Sequence, residues 1–394
     1  MPTSRRTLAV LGLLTSGALI LTGCSATADS ATGTPAPSAE SGGVDLSAVC
    51  PATIVLQTDW NPEAEHGPWY ALLGSDYTID ADKKSVSGPL MSHGKATGVN
   101  VEIRSGGPAI GYQTVTSQLY TDPDIMLGYV STDEAIQNSG SQPTTAVMSV
   151  MEKSPQIIMW DPATYPDVTT IAELGQALPK DGGVVRYFDG ASYMSYLISS
   201  GALSQDIVDG SYDGTPANFV AAGGKDAQQG FSTSEPYTYE HEVENWNKPV
   251  SFQLIHDAGY PIYQSAIAGT PETIEKNKAC LEQFVPVMQQ AEADFMADPQ
   301  ASIDLILELV DQFANGWVYS AGAADYAVKT MTEEGIIANG PDGTLGSFDE
   351  ARLTELIGIV KPIAEANGTD PKADLQPADI ATNDFIDPAI KLAN

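Results

Sequence analysis

The sequence predicts an α/β protein of two lobes, each a mainly parallel sheet flanked by helices, joined by two hinge crossings. Short β-rich runs alternate along the chain with helix-compatible segments, a pattern that is typical of parallel sheets. About 345 residues follow residue 49, which is more than one hydrophobic core usually serves. Two β-rich segments with few charges, residues 144–151 and 249–255, are the predicted crossings. The predicted first lobe is residues 50–147 plus 252–394, and the predicted second lobe is residues 148–251.

The N-terminus carries an export signal. Arg5 and Arg6 precede an apolar run over residues 8–21, which is short for a membrane span. The run ends in Leu21-Thr22-Gly23-Cys24, which resembles the lipobox of bacterial lipoproteins. That resemblance implies a signal peptide over residues 1–23 and a lipid anchor on Cys24, whereas an ordinary secretory signal with an incidental cysteine is the alternative. Residues 24–49 begin with a stretch of small and polar residues and are predicted to be a disordered tether.

The chain is strongly acidic. Its formal net charge is −33, and loss of Arg5 and Arg6 with the signal leaves 16 basic and 51 acidic residues, a net charge of −35. Binding to nucleic acid requires a basic face that neutralises phosphates, so nucleic acid is excluded as a partner. A charge of this size also keeps an exported protein soluble and favours a monomer.

Two cysteines remain besides Cys24. Disulfides persist outside the cytoplasm, so Cys50 and Cys280 are candidates for a single bridge. The alternative is two buried free thiols.

Three strands are predicted in the first part of the chain, over residues 53–58, 99–103 and 124–129. Helical segments follow the first two, and a loop with Ser131, Thr132 and Asp133 follows the third. A second α/β unit follows, with strands at residues 157–160 and 183–188 and helices at residues 171–178 and 193–199. Helical periodicity dominates from Pro271 onward. The predicted helices in that part are residues 274–290, 301–313, 323–333 and 348–366.

Ligands of open α/β sheets bind beyond the carboxyl ends of strands, where helix N-termini offer free N–H groups. Residues after the predicted strands are therefore the candidates for ligand binding. They are Asp59, Trp60, His66, Gly106, Gly107 and Tyr129 in the first lobe, and Trp160, Gly190, Ser192, Tyr193 and Glu235 in the second.

Each candidate also has a purely structural interpretation. The alternative role of Asp59, as of Asp189 or Ser192, is to cap a helix, because Asp and Ser are preferred N-caps. A tryptophan such as Trp60 or Trp160 is as often a core anchor as a stacking platform. His66 is equally a satisfied core histidine, and Glu235 a solvated loop residue. A Glu235 that faced the cleft would require a cationic or hydrogen-bond-donating ligand, because buried carboxylates are costly unless paired.

Enzyme signatures are missing from the sequence. It contains no Gly-x-Ser-x-Gly elbow, no Walker loop, no His-Glu-x-x-His and no Cys-x-x-Cys, so no enzyme activity and no cofactor are expected. Glu240-His241-Glu242 is a weak metal candidate, because neighbouring side chains of a strand alternate between faces. No metal is expected.

One stretch carries a family resemblance. Asp59-Trp60-Asn61-Pro62, followed by His66, resembles the Asp-Trp-x-Pro-x-x-x-His stretch of bacterial binding proteins for pyrimidine precursors in thiamine salvage. Three further stretches support it: Gly106-Gly107, residues 230–236 and residues 382–386. The wider superfamily includes sulfonate, taurine and nitrate binders of ABC importers, and the resemblance covers residues 50–394. Gly67-Pro68-Trp69 departs from the pyrimidine-precursor pattern.

The resemblance implies a type II periplasmic-binding-protein fold and a lipid-anchored protein on the extracytoplasmic face of the cell membrane. It would capture a small polar, ring-containing solute and deliver it to an ABC permease and its ATPase. An oxyanion ligand is the alternative, with Arg104 or Arg186 as its basic partner. Two rivals of other classes are a lipoprotein enzyme and a sensor that presents its closed form to a membrane receptor.

Overall fold

The structure is a computed structural model that describes residues 37–393. Twelve strands occur in this part of the chain. They are β1 (Thr53–Gln57), β2 (Thr78–Asp80), β3 (Ser85–Ser92), β4 (Lys95–Arg104), β5 (Ile125–Val130), β6 (Thr145–Met148), β7 (Gln156–Trp160), β8 (Val185–Arg186), β9 (Val208–Asp209), β10 (Ala227–Phe231), β11 (Ser251–Leu254) and β12 (Ala266–Gly269).

Thirteen α-helices accompany them in the same residues. They are α1 (Gly67–Tyr70), α2 (Val115–Thr121), α3 (Thr132–Asn138), α4 (Ile171–Asp181), α5 (Ser192–Ser199), α6 (Ala217–Ala221), α7 (Glu235–His241), α8 (Pro271–Lys276), α9 (Lys278–Ala297), α10 (Gln300–Phe313), α11 (Ala321–Glu333), α12 (Glu350–Ala366) and α13 (Pro377–Ile380). Short 3-10 turns cover Ala64–His66, Gly107–Ile110 and Gln205–Ile207.

The strands form two sheets. The first has seven strands in the order β2-β3-β4-β1-β5-β12-β6, and the second has five in the order β11-β7-β10-β8-β9. The pairings show that all strands of the first sheet except β3 and β12 run in one direction, as do all strands of the second sheet except β7. The fold class is therefore the predicted one, two mainly parallel sheets flanked by helices.

The chain passes twice between the sheets. It leaves the first sheet after Met148 and enters the second at Gln156, and it returns between Leu254 and Ala266. Strand β11 pairs with β7, so residues 252–254, which the sequence analysis assigned to the first lobe, belong to the second sheet. The change of sheet comes later because Phe252 and Leu254 continue the ladder that Ser251 begins.

The burial pattern follows from the sequence. Strands β1 and β5 are buried along almost their whole length, as expected for central strands covered by helices on both faces. Helix α4 begins with a capping box in which Thr170 and Glu173 satisfy each other's backbone N–H groups. Within residues 37–393, no helix is both long enough and apolar enough to span a bilayer.

Two regions before and within the first sheet differ from expectation. The end of the predicted tether is packed, because Leu46 is fully buried and its N–H donates to the carbonyl of Thr97 (2.8 Å). The β3–β4 hairpin begins well before the predicted strand at residues 99–103. Its turn places His93 (φ 49°) and Gly94 (φ 70°) in the left-handed region, which suits a tight hairpin. The signal peptide, residues 24–36 of the tether and Cys24 lie outside the described residues.

A disulfide joins Cys50, just before β1, to Cys280 in α9. Of the two alternatives left open by the sequence, the structure has the bridge.

Candidate ligand-binding site

A cavity of about 320 Å³ lies between the two sheets, and we call it the central cavity. The loop after β1 and the segment before β12 line it from the first sheet, and β10 with the turn that follows lines it from the second. Met151, on the first passage between the sheets, and Gln156, the first residue of β7, also line it. A volume of this size is at the lower end of the range found for small-molecule sites.

Asp59 is the centre of a hydrogen-bonded group on the first-sheet side. Its Oδ1 lies 2.9 Å from His66 Nε2, and its Oδ2 accepts from the Ser265 hydroxyl at 2.5 Å. Burial by itself would raise the pKa of Asp59, but the hydrogen bond and charge of His66, with the Ser265 hydroxyl, outweigh it and lower the pKa. Asp59 is therefore held as a carboxylate at the edge of the central cavity. His66 is 1% exposed, and its ring stacks on Tyr129 with centroids 5.4 Å apart.

Gly106 and Gly107 position the Asp59–Trp60 loop rather than line the cavity. The Gly106 N–H donates to Trp60 O (2.9 Å), and the Gly107 N–H donates to Asp59 O (3.0 Å). A Cβ at Gly106 would lie 2.3 Å from Thr58 O, and one at Gly107, where φ is +54°, would lie 2.8 Å from the Trp60 ring. Both positions therefore require glycine for this loop to approach so closely.

Two further carboxylates, Glu63 and Glu65, lie beside the 3-10 turn that ends at His66. The turn is fixed by Tyr319, whose hydroxyl accepts from the Ala64 N–H (3.1 Å). Burial raises the pKa of Glu63 well above its ordinary value, and the charges of Glu65, Asp59 and Glu235 raise it further. Burial also raises the pKa of Glu65, against the hydrogen bond that Thr233 donates to it. The sequence analysis missed both residues, although they lie inside the stretch between Asp59 and His66.

Glu235 lines the central cavity from the second-sheet side. Its Oε2 accepts from the Phe231 N–H (2.6 Å), and burial raises its pKa to about 7. A Cβ at Gly230 would lie 2.8 Å from the Glu235 carboxyl carbon, so the glycine makes room for this side chain. The sequence left open whether Glu235 faces the space between the sheets or is a solvated loop residue, and in the structure it lines the central cavity.

Gln229 lines the cavity beside Glu235, and its Oε1 accepts from Tyr193 OH (2.6 Å) and from the Phe188 N–H (2.6 Å). Tyr193 is 4% exposed and does not line the cavity, so it fixes Gln229 from behind.

Aromatic rings form much of the remaining wall. Trp60 and Trp317 meet edge to face with centroids 6.2 Å apart, and Phe188 packs on Tyr212 at 4.8 Å. Trp317 Nε1 donates to Pro62 O (3.2 Å), which ties the segment before α11 to the loop after β1. Rings in this arrangement can stack on a planar ligand or face a cation.

Besides Gly106, Gly107 and Tyr193, four more of the predicted residues lie away from the central cavity. Tyr129 is 1% exposed and stacks on Trp69 at 3.8 Å, so it belongs to the core behind His66. Trp160 is equally buried in β7. Gly190 is exposed with a φ of +84°, and Ser192 is the buried first residue of α5. None of the four lines the central cavity.

Several residues that line the central cavity were missed by the sequence analysis. They are Glu63, Glu65, Met151, Gln156, Phe188, Tyr212, Gly214, Gln229, Gly230, Phe231, Ser234, Gln264, Ser265 and Trp317. Gly230, Phe231 and Ser234 belong to the 230–236 segment that the resemblance had already marked, whereas Trp317 gave no local signal.

The two predicted basic partners are neutralised away from the central cavity. Arg104 pairs with Glu102 (2.7 Å) and Asp122 (2.8 Å). Arg186 pairs with Asp209 (2.7 Å) and Asp226 (2.8 Å). Neither arginine lines the cavity.

Arg352 of α12 ties the two passages between the sheets together. Its guanidinium donates to Glu152 O on the first passage (2.7 Å) and to Pro261 O and Ile262 O on the second (both 2.7 Å). It also stacks 3.7 Å from the centre of the Tyr263 ring. Arg352 is therefore bonded to both passages, which also carry the cavity residues Met151, Gln264 and Ser265.

Within residues 37–393, no group of three or more His, Cys, Asp or Glu side chains is arranged to hold a metal ion. Glu240 and His241 are exposed at the end of α7.

No protein-family model matches the sequence, and no curated protein matches it significantly. Solved structures do match the fold. The periplasmic aliphatic sulphonate-binding protein SsuA of Escherichia coli superposes with a TM-score of 0.52 at 15% identity, over 84% of this chain and 92% of that one. The putative sulfonate-binding protein SsuA of Methylobacillus flagellatus KT gives 0.52 at 13% identity, over the same shares. The alkanesulfonate-binding protein SsuA of Xanthomonas axonopodis pv. citri, bound to MOPS, gives 0.50 at 13% identity, over 84% and 99%.

Identities this low establish the fold alone. The fold agrees with the superfamily that the Asp59–His66 stretch resembles. The chain therefore has the type II periplasmic-binding-protein fold, as the sequence predicted.

Proposed function

We propose that the protein is the extracytoplasmic solute-binding component of an ABC importer. In this proposal, residues 50–147 with the C-terminal helices form one lobe, and the second sheet with its helices forms the other. A small polar, ring-containing solute of the pyrimidine or vitamin-precursor kind bridges the lobes in the central cavity. Closure about the two passages buries it, and the closed form docks on a permease and its ATPase.

The single observation that carries the proposal is the composition of the central cavity. Both sheets contribute polar and aromatic side chains to one shared space, including Asp59, Trp60, Gln229 and Glu235. This is the arrangement expected where two lobes grip a ligand with rings and hydrogen-bonding groups. The export signal and the lipobox-like Leu21-Thr22-Gly23-Cys24 support an anchored monomer on the outer face of the cell membrane.

The oxyanion alternative finds no lysine or arginine in the described lining of the central cavity, and His66 there is paired with Asp59. An enzyme or a sensor remains a rival of another class. Both would use the same cavity, but only an enzyme would change the solute.

The test is to incubate the purified protein with an extract of its own cells, wash it, denature it and identify the released solute by mass spectrometry. We expect an unchanged small molecule at about one per chain. A parallel thermal-shift screen of pyrimidines, vitamins, sulfonates and nitrate should show stabilisation, which reaches about 2.7 kcal/mol at a hundredfold excess over Kd. Turnover of the solute, or a cavity double variant Asp59→Asn/Glu235→Gln that retains the same amount of solute, would contradict the proposal.

A further inference from the structure

The central cavity is lined by an unbalanced set of charges. Asp59, Glu63, Glu65 and Glu235 all line it. Among its described lining residues there is no lysine or arginine, and His66 is the one other titratable group besides Tyr212. Carboxylates that share a poorly solvated space destabilise one another unless a positive group joins them.

Glu65 gives a second and independent indication. Its side chain is 95% withdrawn from solvent, since the residue is 5% exposed, and Oε1 accepts from the Thr233 hydroxyl. Its other oxygen, Oε2, is buried and has no hydrogen-bond partner within residues 37–393. A buried carboxylate oxygen without a donor is costly, so the missing donor is expected from the molecule that fills the cavity.

The aromatic wall adds a third indication. Trp60, Phe188, Tyr212, Phe231 and Trp317 all line the same space. The faces of such rings are negative, so they attract a cation and stack on a planar group, whereas an anion gains nothing from them.

We propose that the central cavity takes a planar organic cation. Its positive or N–H-bearing edge lies among the four carboxylates and donates to Glu65 Oε2, and its ring lies against the aromatic wall. This inference rests on the proposed solute-binding function and specifies the ligand class. It predicts that the sulfonates named for proteins of similar fold are excluded here, because the cavity holds the ionised Asp59 and no lysine or arginine.

The test uses two series of molecules that differ in charge but hardly in shape. The first is 1-methylnicotinamide, nicotinamide and nicotinate, and the second is benzamidine, benzamide and benzoate. In titration calorimetry at neutral pH, the cation of each series should bind at least about tenfold more tightly than its neutral partner, and the anion should bind least. Equal affinities, a preference for the neutral or anionic member, or no cation binding up to about 1 mM would overturn the inference.

A variant pair checks that the charge of the cavity is responsible. Glu65→Gln keeps the shape and should remove most of the cation preference. Glu134→Gln, at a half-buried carboxylate of α3 that does not line the cavity, should keep it. Thermal unfolding of both confirms that they fold. Loss of preference in both variants, or in neither, would contradict the assignment to the cavity.

Failure of this inference is distinguishable from failure of the proposed function. An unchanged neutral or anionic solute recovered from cells would leave the importer standing and refute the cation. Turnover of a bound cation would refute the importer and leave the cation inference standing.

Discussion

The hydroxyl of Thr233, in the turn after β10, donates a hydrogen bond to Glu65 in the loop after β1. A loop of the second sheet is therefore bonded to a loop of the first. Both residues are buried, Thr233 fully and Glu65 to 95%. The contact lies at the central cavity and joins the two halves of the proposed clamp.

Thr233→Val should therefore loosen the closed arrangement. Valine has nearly the same shape but donates no hydrogen bond, and leaving Glu65 without this donor costs about 1–3 kcal/mol. We expect a larger radius of gyration in small-angle X-ray scattering of the unliganded protein and weaker binding of the 1-methylnicotinamide cation. Thr354→Val, on the exposed face of α12, is the matched control and should change neither quantity. Identical scattering of Thr233→Val and the parent would show that this bond does not hold the halves together.

Cation binding should depend on pH through Glu235. Burial raises its pKa to about 7, so the side chain is largely neutral below that pH and negative above it. The titratable groups that face it are Glu63, Glu65, Tyr212 and Tyr239. Burial raises the pKa of both tyrosines, so they stay neutral in the pH range of the experiment. Burial also raises the pKa of Glu63 and Glu65, so these two side chains likewise gain negative charge as the pH rises.

The affinity for 1-methylnicotinamide should rise by about tenfold between about pH 6 and about pH 8, because an added negative charge attracts the cation. Glu235→Gln should reduce this slope while leaving nicotinamide binding flat. Calorimetry across the pH range measures both. A slope that is unchanged in Glu235→Gln would assign the titration to another group.

Arg352→Lys should weaken the link between the two passages. Lysine has one compact ammonium, so it cannot satisfy carbonyls of Glu152, Pro261 and Ile262 with the planar fork that arginine uses, and it loses the stacking on Tyr263. We expect a loss of about 1–3 kcal/mol in the free energy of unfolding, measured by urea denaturation. Lys361→Ala removes a surface pair with Glu365 and should cost less than about 1 kcal/mol. Equal effects of the two substitutions would deny Arg352 this role.

The alternation of strands and helices predicted the fold class, but it did not predict the strands at the edge of the first sheet. Residues 85–98 are rich in Ser, Gly and Pro, which are poor strand formers, yet they pair as β3 and β4. The tight turn at His93-Gly94 and the packing against β1 decide that structure. Leu46 likewise packs although it follows a stretch of small and polar residues.

The candidate site was predicted where residues follow a strand directly. Asp59, Trp60, His66 and Glu235, in the segments after β1 and β10, line the central cavity, whereas Gly106 and Gly107 after β4 only position the Asp59–Trp60 loop. Trp160 is itself the last residue of β7 and packs in the core instead, because a strand alternates its faces and both are covered. Trp317 enters from a loop more than 250 residues away from Asp59, and only the tertiary fold brings it there.

The disulfide gives a direct test of the covalent structure. Cys50 and Cys280 are 230 residues apart, so their bridge constrains a long loop in the unfolded chain. The double variant Cys50→Ser/Cys280→Ser should lose about 2–5 kcal/mol in the free energy of unfolding, and reductant should destabilise the parent but not the variant. Thiol titration of denatured, unreduced Cys24→Ser protein should find no free thiol. Two reactive thiols there would mean that the cysteines are not bridged.

Glu292 of α9 predicts a pH dependence of stability that is separate from ligand binding. It is fully buried, neither carboxylate oxygen has a hydrogen-bond partner within residues 37–393, and burial raises its pKa well above the ordinary 4.5. Between pH 4.5 and the folded pKa, the unfolded chain loses this proton while the folded chain keeps it. The stability that Glu292 contributes is therefore present below pH 4.5 and falls as the pH rises.

Glu292→Gln keeps the neutral shape at every pH, so its advantage over the parent in the free energy of unfolding should grow by about 1–3 kcal/mol from about pH 5 to about pH 8. Urea denaturation at several pH values measures this difference. Gln289→Glu in the same helix is not a suitable control, because the Gln289 side chain donates a hydrogen bond to Leu345 O. The exposed Glu282→Gln is the control instead, and the difference between its free energy of unfolding and that of the parent should not change with pH. A constant difference for Glu292→Gln would mean that Glu292 finds a partner or stays solvated in the folded protein.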